Sequence, residues 1–284
     1  MKYQAKAPDP IPMTDAAFEN SHDTAVYWLT GAGIMLNSHG TTIMVDPVIS
    51  LASENPPISE VEEAPQYCMP PILAKDVKKL DAVLYTHADT DHMGTLTVNE
   101  LKKLDLKFHG TPYVKMKLME LGVPEEQIVA HGLLDEFDIG DVHVKMTLAD
   151  HPWQLDYPET QPYVHKLEDC CGFKFYTRDG VVWHPGDSKY LPEHLDNEDV
   201  DLMFMDFEDN KPIHHFGTEL ALKIVNTLKD SEVIMFHWGT YYDPDKCWYA
   251  ADPAMVRDKI ENLDRFLEPH PGEKVLIHPV VRNK

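Results

Sequence analysis

Short apolar runs separated by turn residues dominate this chain, and they predict a protein built largely from β-strands. Turn signals at Gly31, Gly140 and Gly180 each lie between two such runs and indicate three hairpins. The predicted strands and hairpins cover residues 25–30, 33–38, 41–45, 82–86, 127–130, 136–149, 172–177, 181–184, 200–207, 233–236 and 275–277.

Helical spacing of apolar residues predicts four helices, over residues 97–104, 112–121, 217–229 and 253–266. Strands with inserted helices occur in both halves of the chain. They predict an α/β fold in which two mixed β-sheets pack face to face with helices on the outer faces, an αββα sandwich. The helices exclude a plain β-sandwich, and the frequent hairpins argue against a doubly wound parallel sheet.

We expect one domain over residues 1–284, with residues 1–22 as an N-terminal arm. Residues 50–72 contain five prolines and no apolar period, which predicts a long loop. Long loops of this kind often line a functional site.

The chain is strongly acidic, with a net charge of −23, so we expect neither nucleic acid nor an anionic membrane as a partner. The four cysteines form no CxxC pair. Residues 1–12 do not resemble a secretion signal, and no apolar run is long enough to span a bilayer. We therefore expect a cytoplasmic protein that acts on a small molecule, as a monomer or as a homo-oligomer.

Residues 85–94 hold the densest set of metal-ligand side chains. His87, Asp89, Asp91 and His92 lie within six residues. They follow an apolar strand-like run and precede a helix-like run. Only a loop could turn all four toward one point, because strand and helix periodicity would separate them. Clustered imidazoles and carboxylates at such a position predict a metal site.

Three further candidate ligands, His151, Asp187 and His237, each follow a predicted strand. Loops at strand ends can bring such residues together, as a site for two metal ions requires. The alternative is that they are polar residues capping the loops. We expect Asp46, at the end of the run 41–45, to brace the metal loop by hydrogen bonding.

The order of these motifs resembles the metallo-β-lactamase superfamily, in which His-x-His-x-Asp-His is followed by a His, a Gly-Asp and a final His. The resemblance spans roughly residues 24–240. The segments 45–47, 215–219 and 236–240 are similar to the branch that holds ascorbate-6-phosphate lactonase-like proteins and N-acyl-phosphatidylethanolamine phospholipase D.

The resemblance implies two divalent metal ions and assigns seven ligands to them. One ion would bind His87, Asp89 and His151, the other would bind Asp91, His92 and His237, and Asp187 would bridge them. Such ions lower the pKa of a shared water from about 15.7 toward about 7, which gives a hydroxide nucleophile.

Three residues receive roles beyond this set. Asp91 would also be catalytic, by orienting the nucleophile and passing a proton to the leaving group. His215 matches a position near the substrate and is a candidate catalytic and substrate-binding residue, although it could simply lead into the helix at 217. Tyr241, just after His237, is a candidate substrate contact.

Asp89 departs from the family motif, which has a histidine at this position. A carboxylate adds a negative charge and an oxygen donor, which shifts preference toward Mn²⁺ or Fe²⁺ relative to Zn²⁺. Asp89 could instead lie outside the ligand set or leave one metal position unfilled.

These features imply a metal-dependent hydrolase that uses a metal-bound hydroxide to open a small cyclic ester or lactone. One alternative is a phosphodiester hydrolase, for which nearby cations are few: Lys189, Lys211 and Lys246. An alternative of another class is an iron-containing redox protein or a metal-binding protein without catalysis.

Overall fold

The computed structural model describes residues 4–53, 59–61, 64–208, 214–242 and 251–279. Within these ranges, strands form two seven-stranded sheets and one three-stranded sheet. In chain order the strands are β1 (Thr24–Thr30), β2 (Gly33–Ser38), β3 (Thr41–Val45), β4 (Leu51–Ser53), β5 (Ser59–Val61), β6 (Ala64–Gln66), β7 (Ala82–Leu84), β8 (Lys107–Gly110), β9 (Ile128–Ala130), β10 (Glu136–Ile139), β11 (Val142–Leu148), β12 (Cys171–Tyr176), β13 (Val181–His184), β14 (Leu202–Met205), β15 (Glu232–Met235), β16 (Phe266–Leu267) and β17 (Val275–Leu276). The α-helices are α1 (Thr95–Leu101), α2 (Pro112–Glu120), α3 (Gly217–Thr227) and α4 (Pro253–Val256).

Both large sheets are mixed. The first has the order β17-β1-β2-β3-β7-β8-β9, antiparallel from β17 to β3 and parallel from β3 to β9. The second runs β10 to β16 in chain order, antiparallel up to β13 and parallel beyond it. The predicted αββα architecture and its three hairpins are confirmed.

The inner faces of the two large sheets share one apolar core. On β1, Val26 and Trp28 point into this core, where they meet residues of the second sheet such as Phe173 and Phe204. The alternate β1 residue Leu29 belongs to a second cluster on the outer face. All seven positions of β1 are buried, because both faces of the strand are covered.

Helices cover the outer face of the first sheet. Val98 of α1 and both Val114 and Leu118 of α2 pack in the outer cluster with Tyr85 and Phe108. Among the described residues, every helix is too short or too polar to cross a lipid bilayer.

The helix predicted over 253–266 is wrong. Helix α4 ends at Val256, and two 3-10 turns follow before β16. Asn262 adopts a left-handed conformation (φ 57°), which interrupts any helix. The guanidinium of Arg265 donates to the carbonyls of Val225 and Ser231, each at 2.7 Å, and so fastens this segment to the end of α3.

The long loop predicted over 50–72 is also wrong in part. Strands β4, β5 and β6 form a small antiparallel sheet inside it. Each has three residues, too few for an alternating pattern to emerge from the sequence. Strands β8 and β16 were not predicted either, because β8 carries a single large apolar residue, Phe108, and β16 has only two residues.

Parallel pairing brings many strand ends to one edge of the sandwich. The carboxyl ends of β3 and β7 lie side by side in the first sheet, as do those of β13, β14 and β15 in the second. Strand β11 is antiparallel to β12, which is antiparallel to β13, so β11 ends at the same edge. Every candidate ligand follows one of these strands.

An aromatic stack joins the two sheets where β8, β9 and β10 approach each other. The ring of His131 lies 3.8 Å from that of Phe137 and 5.2 Å from that of His109, all nearly parallel. The two imidazoles share a hydrogen bond of 2.9 Å between His109 Nδ1 and His131 Nε2. Burial, aided by His131 and Lys107, lowers the pKa of His109 to about 3.

We expect His109→Phe to make folding less sensitive to acid. In the native protein His109 stays neutral down to about pH 3, whereas the unfolded chain binds its proton below about pH 6.5. The stability that the neutral His109 contributes is therefore fully present above about pH 6.5 and is lost as the pH falls toward about 3. Urea unfolding should show a loss of free energy between about pH 7 and about pH 4.5 that is about 1–3 kcal/mol smaller in the variant. The exposed His22, changed to Phe, is the control; an identical pH dependence in H109F and native protein would contradict the assignment.

Candidate metal centre

The metal loop, residues 85–94, leaves β7 and turns sharply before α1. The backbone amides of His92 and Met93 both donate to the carbonyl of Asp89, at 3.0 and 2.7 Å. This turn brings side chains from both halves of the loop to the same side. The arrangement agrees with the expectation that only a loop could converge them.

Asp46 braces this loop from the neighbouring strand end. Its carboxylate accepts hydrogen bonds from the amide of Thr86 at 2.8 Å and from the Thr86 hydroxyl at 2.5 Å. It also bonds His92 Nδ1 at 2.8 Å. Asp46 is fully buried and sits at a positive φ of 46°, a conformation that aspartate tolerates better than most residues.

Three candidate histidine ligands present the same nitrogen to the centre. The Nδ1 atoms of His87 and His92 are engaged by Thr86 and Asp46, and that of His151 lies 2.8 Å from the carbonyl of His214. A carbonyl can only accept, so His151 carries its proton on Nδ1. In each case Nε2 remains to bind a metal, the usual pattern for such ligands.

The Asp187 carboxylate forms the hub of the cluster. Its Oδ2 lies 3.1 Å from Nε2 of His92, 3.8 Å from that of His237 and 3.9 Å from that of His151. Atoms bound to one ion at about 2.1 Å lie roughly 3–4 Å apart, so these spacings suit shared coordination.

Two overlapping groups of potential ligand atoms share Asp187. One contains His87 and His151, and the other contains Asp91, His92 and His237; within each group the atoms lie within 4.8 Å of one another. The structure thus brings the predicted ligands together as two sets.

Asp89 lies beside the first group without being a member of it. Its Oδ2 is 3.1 Å from Nε2 of His87 and 3.6 Å from Nε2 of His151. Its role as a ligand stays a prediction.

Electrostatics of the cluster favours bound cations. The carboxylates of Asp46, Asp89, Asp91, Asp187 and Asp206 each form ion pairs with histidines. Burial opposes the charge on Asp187, but the surrounding imidazoles outweigh it and hold its pKa well below the usual range. For Asp91 the same balance lowers the pKa.

Two buried atoms add to this fit. His87 Nε2 and Asp187 Oδ1 have no hydrogen-bond partner among the described residues. Buried polar atoms are normally paired, so unpaired ones that face a common point suit metal coordination. The residues present therefore fit a divalent metal ion.

His215 contacts Asp206, which follows the last residue of β14. The sequence reasoning missed Asp206. The Asp206 carboxylate is 2.7 Å from His215 Nδ1, while His215 Nε2 is 3.9 Å from Asp187. Burial opposes protonation, but Asp187 and Asp206 outweigh it and raise the pKa of His215 to about 10. Asp206 was missed because it fell inside the strand predicted over 200–207, whereas the structure ends β14 at Met205.

Tyr241 occupies a supporting position. Its hydroxyl donates to the carbonyl of Asp91 at 3.4 Å, and its ring packs closely over Gly31. This geometry ties the residue to the metal loop, and its predicted contact with substrate stays a prediction.

The arrangement has counterparts in known proteins. A model of the beta-lactamase superfamily domain matches residues 41–238, which include every candidate ligand. The chain belongs to the β-lactamase superfamily. A metal-dependent hydrolase of Pyrobaculum islandicum is 24% identical to this superfamily member over 246 residues, covering 84% of this chain and 93% of the relative.

Two solved structures share the fold. An isothiocyanate hydrolase from Delia radicum gut bacteria has a TM-score of 0.68 at 18% identity and covers 90% of this superfamily member and 99% of its own chain. The diiron β-hydroxylase CmlA from Streptomyces venezuelae has a TM-score of 0.64 at 15% identity. The match covers 90% of this superfamily member and 55% of the CmlA chain. At such identities the likeness establishes the fold alone.

We expect Asp187→Asn to remove most bound metal from this superfamily protein. The change deletes the charge that both sets share, so metal per chain, measured by mass spectrometry after purification without chelator, should fall by about tenfold or more. The chelated variant should be less stable than the chelated native protein, because the buried imidazoles of His92 and His237 lose the carboxylate that compensates them. Asp138→Asn, at an exposed site on β10, is the control. Full metal content in D187N would refute the shared role.

Proposed function

We propose that the protein is a metal-dependent hydrolase that opens a lactone or another cyclic ester of a small polar molecule. The observation that carries the proposal is the pair of ligand sets joined at Asp187. The metal-dependent hydrolases among its relatives support the reaction class. The resemblance to the ascorbate-6-phosphate lactonase-like branch supports the lactone substrate.

The proposed ligands follow from the two sets. His87, Asp89 and His151 would hold one ion, and Asp187 would contact both. Asp91, His92 and His237 would hold the other. Bound divalent ions, Mn²⁺, Zn²⁺ or Fe²⁺, would supply an acidified water and withdraw charge from the scissile carbonyl.

Asp91 is placed to move a proton. Its side chain is 25% exposed, whereas those of His92 and His237 are fully buried. Because Asp91 is the member of its set that faces the opening, it can both orient a water and pass a proton to the leaving oxygen. Its lowered pKa keeps it ionised, as a metal ligand and an acceptor for the hydrogen bond of the water must be.

His215 is placed to stabilise the developing oxyanion. Asp206 fixes its Nδ1 proton, and Nε2 points toward the centre. A protonated imidazole in a buried setting is a strong donor to an oxyanion. Asp206 thus acts through His215 by fixing its orientation and charge.

A phosphodiester substrate has weaker support. Lys189, one of the three nearby cations, pairs with Asp150 at 2.6 Å. Lys211 and Lys246 lie outside the described residues. The net charge of −23 opposes a multiply charged anion.

An iron-dependent redox role is the second candidate, and Asp89 is the observation that favours it. A carboxylate in place of imidazole enriches the site in oxygen donors, which suits harder ions than Zn²⁺. CmlA, which shares the fold, is a diiron enzyme. Two equivalents of iron with visible absorbance, in protein inactive toward esters, would favour this candidate.

We expect purified protein to hydrolyse members of a lactone panel, and to do so only with metal bound. Dialysis against a chelator should remove activity, and added Mn²⁺ or Zn²⁺ should restore it. Phosphodiesters and thioesters in the same assay test competing substrates. Undiminished lactone hydrolysis after exhaustive chelation would rule out the proposed mechanism.

We expect Asp206→Asn to lower kcat by roughly 10²-fold with little change in bound metal, because it weakens the His215 donor without touching the proposed ligands. Steady-state kinetics with a hydrolysed lactone, together with metal analysis, would measure this. Asp199→Asn is a control, since Asp199 pairs with Lys174 away from the centre. A drop in metal content equal to the drop in rate would place Asp206 among the ligands instead.

A further inference from the structure

The Asp89 carboxylate has a different neighbour on each oxygen. The indole of Trp153 donates from Nε1 to Oδ2 at 2.6 Å. This Oδ2 is the same atom that lies within 3.1 Å of His87 Nε2 and 3.6 Å of His151 Nε2. On the other side, His165 Nε2 lies 3.7 Å from Oδ1.

We propose that Trp153 is a positioning residue that holds the Asp89 carboxylate as a ligand of the first metal ion. The inference rests on the two-ion site of the proposed function and adds to it the device that lets an aspartate serve where the family motif has histidine. Trp153 would act through Asp89 and would touch neither metal nor substrate.

The chemistry of the indole suits this role. A terminal carboxylate rotates easily about its last torsion, so an aspartate ligand needs a fixed partner to present one oxygen. An indole N–H can donate but can neither accept, titrate nor bind a metal. Its hydrogen bond holds Oδ2, the same oxygen that lies close to the Nε2 atoms of His87 and His151.

The position of Trp153 in the chain links it to a ligand. It stands two residues after His151 and begins a 3-10 helix, Trp153–Asp156. The next residue, Gln154, accepts a hydrogen bond at 3.0 Å from the amide of His165, which fastens the far end of the same segment. His151, the Trp153 indole and His165 are thus held together by one segment of the chain.

His165 is itself held against Asp89. Its ring makes edge contacts with Tyr113 and Tyr163, which stack on each other at 4.9 Å. Its Nδ1 lies 3.7 Å from the Cys170 thiol, and its Nε2 faces Asp89 Oδ1 at 3.7 Å.

A double-mutant cycle separates this role from simple packing. Protein freed of metal by chelation is titrated with Co²⁺, followed by its visible absorbance, in native protein, Trp153→Phe, Asp89→His and the double variant. In the native background, W153F should weaken the affinity for the first ion by about tenfold or more. In the D89H background, W153F should weaken the affinity for the first ion by less than about twofold, because a ring nitrogen needs no hydrogen-bond donor to orient it.

Tyr157→Phe is the matched control. Tyr157 packs edge-on against the Trp153 ring at 6.0 Å, so this change alters the same segment and keeps the indole N–H. Its Co²⁺ affinity should equal that of the native protein. If W153F does not fold, as judged by circular dichroism, Trp153→Tyr serves in its place, because it keeps a large ring and lacks the N–H.

The outcomes separate the two proposals. Native protein that binds no Co²⁺ would overturn the metal-dependent function itself. Two ions per native chain, with W153F equally harmful in both backgrounds or harmless in both, would overturn the positioning role and leave the function intact. Loss confined to the Asp89 background would support it.

Discussion

Five carboxylates meet at one edge of the sandwich, and the need to compensate their charges governs how the rest of the site is built. Asp46, Asp187 and Asp206 are almost completely buried. A buried carboxylate without compensation costs several kcal/mol, and like charges side by side cost more. Imidazoles offset part of this, and two divalent ions would offset the remainder. The fold supplies the convergence, because parallel pairing places the strand ends at one edge.

Backbone strain is concentrated at the same edge. Asp46 and His237 have φ values of 46° and 62°, and Thr30, a β-branched residue, has φ 104°. Such conformations cost about 1–3 kcal/mol each and persist only where packing enforces them. The carbonyl of Gly31, next to Thr30, accepts hydrogen bonds from the amide of His237 and the indole of Trp28. The strained β1–β2 turn therefore supports a proposed ligand from the opposite sheet.

Sequence patterns predicted the sandwich because its strands are buried on both faces and its turns carry glycine. Runs such as 233–236 are apolar at every position, which leaves little ambiguity about strand or loop. The same reasoning failed where few side chains report the structure. Strand β8 pairs on both sides through its backbone and contributes one large apolar residue. The helix predicted over 253–266 fails because Asn262 takes a left-handed backbone conformation and Arg265 bonds to carbonyls at the end of α3, and apolar spacing reveals neither.

In the candidate site, too, some residues could be recognised from the sequence and others could not. Ligand-type residues directly after strands can be recognised from the sequence, and His87, Asp187 and His237 were. Their supports are harder to recognise, because a support is defined by a partner far along the chain. Trp153 and Asp89 are 64 residues apart, and nothing about a tryptophan in an aromatic loop distinguishes a donor from a wall of the pocket. Asp206 was missed because it lay inside the predicted strand 200–207, which in the structure ends at Met205, and it belonged to no family motif.

The position of Trp153 has a consequence for how this site can vary. A histidine ligand orients itself through its second ring nitrogen, so its support comes from the adjacent strand ends, as for His92 and Asp46. An aspartate ligand has no second nitrogen, and here its support comes from the segment after His151. That segment carries two exposed aromatic side chains, Tyr157 and Tyr163. If Trp153 holds Asp89, changes in this segment would alter the metal environment and the approach of the substrate together.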